Sequence, residues 1–131
     1  MRGIVVAVST DRSLAADVFA RDCATRPVLQ AVTGRWGALV LVALASGTHR
    51  FSELRRRVDG ISERMLSQTL HKLERDGLVR RDVQTTIPPH VEYSLTDLGR
   101  RITTPLATLI ELVEQSLPEI AEAQVAYDAE H

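Results

Sequence analysis

The side chains best suited to chemistry lie in the middle of the chain, on one face of a segment with helical periodicity. They occupy positions i, i+3, i+4 and i+7 of that segment and are Arg64, Ser67, Gln68 and His71. They carry hydrogen-bond donors and mixed donor–acceptor groups, which read base edges and contact phosphates. The spacing therefore predicts a face that contacts a nucleic acid.

The helix that must position this face has clear start and stop signals. Ser62 can accept a hydrogen bond from a backbone N–H of the first turn, and Gly77 can adopt the left-handed conformation that ends a helix. The opposite face is an apolar stripe formed by Leu66, Leu70 and Leu73. We therefore predict a helix over residues 62–76, named the reader helix below.

A shorter helix comes directly before the reader helix. Ser52 is its predicted N-cap, and its apolar positions are Phe51, Leu54 and Val58. Asp59-Gly60 marks the turn between the two helices. Two helices joined by so short a turn match a helix-turn-helix unit, whose second helix enters the major groove of DNA. An ordinary helical hairpin with solvated charges fits the same stretch and is the alternative at this point.

Charge is unevenly distributed along the chain, although the net charge is only −1. Residues 50–81 hold nine basic and five acidic residues, whereas residues 96–131 hold two basic and seven acidic residues. Neutralisation of phosphates supplies most of the non-specific affinity for DNA, so this segregation favours a DNA-binding face around the reader helix. The expected phosphate contacts are Ser52, Arg55, Arg56 and Lys72.

After Gly77 the apolar period changes from about 3.6 to about 2, which predicts two strands. The inward positions are Leu78, Val79 and Val83 in the first strand and Val91, Tyr93 and Leu95 in the second. The loop between them contains two prolines, which forbid regular pairing. A helix-turn-helix followed by such a hairpin is a winged helix. We expect wing contacts to DNA within residues 85–90, at Thr85, Thr86 and His90; a loop that merely connects the strands is the alternative.

The segments before residue 46 are predicted to be mostly helical. Ser13 is expected to cap a helix that runs toward Arg21, with Phe19 among its inward residues, and Pro27 suits the first turn of a further helix that ends near Gly34. The run from Trp36 to Ala45 is apolar on all sides, which fits a buried helix or a buried strand. Its leucine and alanine content favours the helix. Residues 4–8 fit either a strand or an apolar arm.

Thr96 is predicted to cap a long helix after the second strand. The apolar positions of that helix advance by three or four residues and are Leu98, Ile102, Leu106, Leu109, Val113 and Leu117. Pro105 is expected to kink the helix, and Pro118 to end it or to begin a last turn. The stripe is longer than a small winged-helix core needs, so we predict that it packs on the same element of a second subunit. Packing on the N-terminal helix of the same chain is the alternative.

Length and composition limit the function classes. The chain has 131 residues, about the length of one domain, and 44% hydrophobic with 25% charged residues is typical of a soluble globular protein. Aromatic residues make up only 4%, which argues against stacking on single-stranded RNA bases. The apolar run Ile4 to Val8 is too short for a membrane span, so we expect a cytoplasmic protein without membrane contact.

Nothing in the sequence indicates an enzyme, a metal site or a cofactor. The single cysteine, Cys23, excludes an intramolecular disulfide and a cysteine-based zinc site. The histidines have neither metal-ligand spacing nor a nucleophile partner, and no phosphate-binding glycine loop is present; they are His49, His71, His90 and His131. We therefore expect no catalytic residue, no bound metal and no cofactor.

Several segments together resemble the HxlR-type winged helix-turn-helix regulators, a branch of the MarR-like fold. The resemblance runs from about Cys23 to about Leu117 and rests on GRWGALVLVALASGTHRFSELRRRVDGISERMLSQTLHKLERDGLVRR, followed by IPPHVEYSLTDLG. It implies a homodimeric transcription regulator that binds palindromic, double-stranded operator DNA through the reader helix and the wing. The alternative is a winged-helix protein–protein interaction module without DNA binding.

The resemblance, together with the segments on either side of it, gives the expected architecture of the whole chain. The implied fold is mainly α with a small β-hairpin (α+β), a winged helix-turn-helix with N- and C-terminal dimerisation helices. The chain then divides into an N-terminal arm and helix over residues 1–22, the winged domain with its dimerisation helix over residues 23–117, and a C-terminal tail over residues 118–131.

Many proteins of this family are similar in carrying a cysteine ahead of the Gly-Arg/Lys-Trp segment, and some use it to sense oxidants or electrophiles. Cys23 matches that position, although Ala24 stands where a proline commonly follows. Arg21 and Arg26 would favour the thiolate, whereas Asp22 and burial would oppose it. Cys23 is thus a candidate redox sensor, with a buried structural thiol as the alternative. No residue selects a small-molecule effector, whose identity stays unknown.

Overall fold

A computed structural model describes residues 16–131, so the predictions for residues 4–8 and for Ser13 lie outside the described residues. The described part is mainly helical with one small antiparallel sheet, as predicted. In chain order its elements are α1 Thr25–Thr33, α2 Gly37–Leu44, β1 His49–Arg50, α3 Phe51–Arg57, α4 Glu63–Arg75, β2 Val79–Gln84, β3 His90–Leu95, α5 Asp97–Gln115 and α6 Leu117–Glu130.

The core is built around α2, which is the helix predicted from the continuous apolar run. Val40 and Leu41 have no exposed surface, because α1, α4 and α5 all pack against this helix. The reader helix, α4, turns Leu66, Leu70 and Leu73 into the same core, where each is at most 2% exposed. Burying a leucine side chain stabilises the fold by about 1.5–3 kcal/mol, so these three residues fix the rotation of α4 about its axis.

Both ends of α4 match the sequence signals. Ser62 Oγ accepts a hydrogen bond from the Met65 N–H at 3.0 Å. At the other end Gly77 has φ +79°, its N–H donates to the Glu74 carbonyl at 3.0 Å, and the Leu78 N–H donates to the Leu73 carbonyl at 2.9 Å. This pair of bonds is a Schellman motif, which requires a left-handed residue at Gly77.

The start of α3 differs from the prediction, because Ser52 is not its N-cap. The helix begins two residues earlier, after Arg50, whose backbone N–H donates to Glu53 Oε1 at 2.7 Å. The same bond, aided by nearby His49, Arg50 and Arg56, holds the pKa of the Glu53 carboxyl below its usual value against the opposing effect of desolvation. A glutamate in the first turn therefore satisfies the helix end that Ser52 was expected to cap.

The sheet has the strand order β1-β3-β2, and both neighbouring pairs are antiparallel. The two hairpin strands were predicted, and Val79 opposite Leu95 closes the edge of the core. Val83 is 55% exposed, because the hairpin projects beyond the core at that point. Strand β1 was not predicted, since two residues are too few to show alternation; it pairs His49 with Tyr93.

The segment before α1 corrects another prediction. Residues 16–24 form turns and not a helix, and Phe19 is 90% exposed instead of facing inward. The Arg26 guanidinium donates to the Val18 carbonyl at 3.0 Å and to the Phe19 carbonyl at 2.9 Å. These carbonyl groups are thereby satisfied without helical hydrogen bonds.

The C-terminal third consists of two helices. Pro105 lies inside α5, which continues past it to Gln115. Pro118 lies in the first turn of α6, which is a helix of 14 residues and not the single last turn that was expected as one of the two alternatives. Residues 118–131, the predicted tail, are helical as far as Glu130. Within residues 16–131 no single helix is long and apolar enough to span a membrane, although α1 and α2, bent by 72° at their junction, pass that test as a pair.

Thr96 joins the end of the reader helix to the start of α5. Its Oγ1 accepts from the Gly99 N–H at 2.9 Å, as predicted for an N-cap, and donates to the Gly77 carbonyl at 2.7 Å. A Cβ on Gly99 would lie 2.0 Å from the Leu78 carbonyl oxygen, so the two helix ends are in direct contact. This joint couples the orientation of α4 to that of α5.

We expect Thr96→Val to lower the free energy of unfolding by about 1–2 kcal/mol, because the substitution keeps the shape of the side chain but removes both hydrogen bonds. Urea denaturation followed by far-UV circular dichroism measures the change. Thr104→Val is the matched control: its hydroxyl donates only to the Arg100 carbonyl of its own helix and is exposed. Equal destabilisation of the two variants would contradict the role of Thr96 as a joint.

Candidate nucleic-acid interface

The four predicted base-reading side chains lie together on the outer face of α4. Arg64, Ser67, Gln68 and His71 are all exposed. Across the described residues, none of the four has a side-chain hydrogen bond or an ion pair within the protein. Their donors and acceptors are therefore available to a ligand. The leucines on the opposite side of the helix prevent this face from rotating inward.

The predicted phosphate contacts on α3 lie beside this face. Ser52, Arg55 and Arg56 are exposed and line a concavity of about 590 Å³ that extends over the turn to Ser62. Arg55 NH1 is 3.1 Å from Glu63 Oε2, which links α3 to the start of α4. Both side chains are well exposed, so this ion pair contributes little to stability and leaves the arginine accessible to a phosphate.

Lys72, the fourth predicted phosphate contact, is in a different environment. It is half-buried, and its Nζ lies 3.4 Å from Oδ2 of Asp76. The Asp76 side chain is only 9% exposed, and its Oδ2 accepts no hydrogen bond, so the contact is an ion pair without hydrogen-bond geometry. Because a buried carboxylate already attracts this ammonium group, Lys72 is less available to a phosphate than the arginines of α3.

The predicted wing residues divide into two groups. Thr85 and Thr86 are exposed in the hairpin loop, where the Thr86 hydroxyl donates to the Pro88 carbonyl at 3.2 Å. His90 is not in the loop: it is the first residue of β3, and its half-buried ring has Nε2 3.0 Å from Glu92 Oε2. Sequence reasoning did not single out Arg80 and Arg81, which are exposed on β2. The sequence feature that could have identified these two arginines is their position as a basic pair directly after the apolar residues Leu78 and Val79.

Cys23 lies just before α1 and is 4% exposed. Burial raises the pKa of its thiol, but hydrogen bonds from Thr25 and from the backbone of Arg26 and Asp17 outweigh burial, so the pKa lies below its usual value. The Thr25 N–H, for example, donates to Sγ at 3.2 Å. Sequence reasoning expected the charge of Arg26 to favour the thiolate, whereas this guanidinium is bonded to the carbonyls of Val18 and Phe19.

The predicted dimer stripe on α5 is only partly available to a partner. Leu106 is buried in the core of its own chain, and Ile102 packs against that core, because the first half of α5 contacts α2. These two positions were therefore assigned to the wrong contact. Leu98 is 39% exposed beside the core. The exposed apolar surface begins after Leu106 and continues onto α6; it comprises Leu109, Leu112, Val113, Leu117, Ile120, Val125 and Tyr127.

Within residues 16–131 no three His, Cys, Asp or Glu side chains are grouped so that they could hold a metal ion. The groups that the fold brings to one surface are instead exposed arginines, amides and hydroxyls around α3, α4 and the hairpin. Such groups donate hydrogen bonds to phosphates and to base edges. The α-helix that carries them is narrow enough to enter the major groove of B-DNA.

Comparisons with known proteins agree with this geometry. The HxlR-like helix-turn-helix family model matches residues 31–121. The HTH-type transcriptional regulator YtfH of Escherichia coli (strain K12) is 52% identical over 104 residues, which cover 79% of this chain and 82% of the relative. The proposed regulator YtfH of Salmonella typhimurium has a similar solved structure, with a TM-score of 0.78, 49% identity, and coverage of 82% of this chain and 96% of that one.

A third comparison is with a protein that is named as a redox regulator. The oxidised form of the redox regulator HypR superposes with a TM-score of 0.66 at 36% identity and covers 71% of this chain and 96% of its own. The family match extends from α1 to α6 and includes the complete winged helix. The chain therefore belongs to the HxlR-like helix-turn-helix family of transcriptional regulators.

Proposed function

We propose that this protein is a sequence-specific transcriptional regulator that binds a palindromic operator as a homodimer, through the reader helix 62–76 and the wing 85–90. The observation that carries the proposal is the exposed face of α4, where four polar side chains have no partner among the described residues. Ordinary surface helices are covered with charged residues that pair along the helix. Here the face combines arginine, serine, glutamine and histidine on the second helix of a helix-turn-helix, the one that enters the major groove.

The residues divide into two roles. Arg64, Ser67, Gln68 and His71 face the base edges, where a well-formed bidentate contact contributes about 1–3 kcal/mol of discrimination between bases. Ser52, Arg55 and Arg56 grip phosphates and contribute to the binding of every sequence. The wing adds contacts through Thr85 and Thr86, whereas His90 serves mainly to order the hairpin through Glu92.

Dimerisation is supported by the exposed apolar surface of the C-terminal helices. Leu109, Val113 and Leu117 lie on one stripe and are between 49% and 60% exposed, and α6 buries no residue in its own chain. A helix pair with this much exposed apolar surface is best satisfied by the same pair in a second copy. A two-fold dimer would also set two reader helices about 34 Å apart, one turn of DNA.

Cys23 is the candidate for sensing a signal. Its lowered pKa increases the fraction of thiolate, which is the reactive form, and HypR supports the idea as a similar protein named as a redox regulator. Since the chain has a single cysteine, oxidation produces either a sulfenic acid or a disulfide between two copies. The competing function, a winged-helix interaction module without DNA binding, predicts no affinity for any duplex at low salt, and no described feature favours it.

Base reading and phosphate contact are separable by mutation. Gln68→Ala should weaken binding to the operator by about 1–3 kcal/mol and relax base choice at one position of each half-site, because a base contact is lost. Arg56→Ala should weaken binding to all duplexes similarly and reduce the salt dependence. Fluorescence anisotropy with operator and scrambled duplexes across a salt series measures both effects. Gln124→Ala on α6 is the control, and unchanged binding by both test variants would show that the assigned face is wrong.

The dimer surface is tested by adding charge to the exposed stripe. We expect Leu109→Glu combined with Val113→Glu to convert the dimer to a monomer, because four carboxylates would face each other in an apolar contact. Analytical ultracentrifugation measures the mass, and far-UV circular dichroism checks the fold. Thr104→Glu, an exposed position on the same helix before the exposed apolar surface begins, should remain dimeric. A wild-type protein that sediments as a monomer at micromolar concentration would contradict the proposed assembly.

The redox role of Cys23 is tested with the thiol oxidant diamide. Treatment should change operator affinity several-fold in the wild-type protein, dithiothreitol should reverse the change, and Cys23→Ser should not respond. With one cysteine per chain, the disulfide that diamide forms joins two copies, and non-reducing electrophoresis detects it. The same response in both proteins would exclude Cys23 as the sensor.

A further inference from the structure

The sequence Gly34-Arg35-Trp36-Gly37 forms the turn between α1 and α2, and neither of its glycines has room for a side chain. A Cβ on Gly34 would lie 2.8 Å from the Gln30 carbonyl oxygen, and one on Gly37 would lie 1.8 Å from the Ala31 carbonyl oxygen. The turn is therefore held directly against the end of α1. Arg35 and Trp36, between the two glycines, are presented from a backbone whose position is fixed by this contact.

This turn forms one wall of a cleft whose opposite wall is the reader helix. The cleft has a volume of about 420 Å³, and the reader helix contributes Gln68, Thr69, Lys72 and Leu73 to it. The cations Arg35 and Lys72 both line it, and none of the lining residues within 16–131 is acidic. Clefts lined by one sign of charge with apolar walls focus the electrostatic field, so this cleft attracts an anion.

Arg35 is the cation that is free to bind this anion. Its guanidinium carbon lies 4.6 Å from the centroid of the Trp36 ring, so the ring orders the side chain, and the residue as a whole is exposed. In the described part of the chain Arg35 has no ion pair, whereas Lys72 is attracted by Asp76. A planar, ordered guanidinium on an exposed residue is suited to bidentate contact with a phosphate.

We propose that this cleft binds a backbone phosphate of the operator, with Arg35 as the principal ligand. The inference rests on the proposed function, and it adds a DNA contact outside the helix-turn-helix and the wing. The phosphate comes from DNA because the cleft shares Gln68 and Lys72 with the predicted DNA face. A duplex seated on the reader helix therefore brings one strand next to Arg35. The Gly-Arg-Trp-Gly turn then acts as a clamp at the edge of the groove that α4 enters.

The test compares Arg35→Gln with Arg35→Lys, which keeps the charge, and with Arg101→Gln, an exposed arginine on α5. Each phosphate contact contributes about −0.9 to the slope of log K against log salt. We expect Arg35→Gln to reduce the magnitude of that slope by about 0.9 per protomer and to weaken operator and scrambled duplexes by the same factor. Arg35→Lys should keep most of the slope, and Arg101→Gln should match the wild type. Thermal melting verifies that the variants fold.

A measurement on the wild-type protein keeps the proposal testable if Arg35→Gln does not fold. Trp36 is the only tryptophan, so intrinsic fluorescence reports on this cleft. Operator DNA should change the emission of Trp36, whereas inorganic phosphate at equal ionic strength should not. Saturable binding of inorganic phosphate together with an unaltered emission on DNA binding would show a site for free anions and overturn the proposal.

The outcomes separate this inference from the proposed function. If the wild-type protein binds duplexes and Arg35→Gln has the same slope and affinity, DNA binding stands and the phosphate clamp is overturned. If the wild-type protein binds no duplex at low salt, both are overturned. A loss of slope in Arg35→Gln that Arg35→Lys restores supports the clamp.

Discussion

The structure depends on the burial of one leucine stripe, formed by Leu66, Leu70 and Leu73, against the apolar helix α2. These side chains are at most 2% exposed, and together they contribute about 5–9 kcal/mol of apolar burial. With 3.6 residues per turn, burying this stripe forces Arg64, Ser67, Gln68 and His71 toward solvent. The exposed polar face, the predicted DNA contact, is thus a consequence of the core: any change that rotated α4 to hide this face would expose the leucines.

The second constraint is the contact between the end of the reader helix and the start of α5. Gly77 ends α4 in the left-handed conformation, Thr96 bonds to its carbonyl, and Gly99 lets α5 approach the Leu78 backbone. If the C-terminal half of α5 and α6 join two copies, this joint transmits the geometry of the dimer to the reader helix. The spacing of two reader helices would then be set by short, rigid contacts. A signal that shifts α5 would act on DNA binding through the same joint.

What the sequence predicted well was local. The caps at Ser62 and Thr96, the end at Gly77, the leucine stripe and the two strands of the hairpin each depend on residues within a few positions of one another. The predicted alternation of buried and exposed residues along the hairpin is not observed, because β2 is mostly exposed after Val79 and β3 is half-buried up to Leu95. The helical state of α2 was also predicted, because its leucine and alanine content favoured a buried helix over a buried strand. The face of α4 followed from the same periodicity, although its contact with DNA stays a prediction.

What the sequence did not predict depends on which partner each group takes in the fold, whether that partner is near in the chain or distant. Strand β1 exists because β3 pairs with it, and Arg50, not Ser52, precedes α3 because the Glu53 carboxylate bonds to its N–H. The turns before α1 are held by Arg26, and Leu106 is taken by the chain's own core. His90 contacts Glu92 instead of extending from the loop. In each case the partner that a group contacts decided the outcome, and hydrophobic periodicity does not specify that partner.

The most direct test of the account is binding of the purified wild-type protein to the intergenic DNA upstream of its own gene. Anisotropy titrations across a salt series would compare this duplex with a scrambled duplex of equal length. The account predicts at least about a thousandfold preference for a site within the upstream DNA at physiological salt, with an affinity that falls steeply as salt rises. Equal affinity for the two duplexes, or no binding to either at low salt, would contradict it.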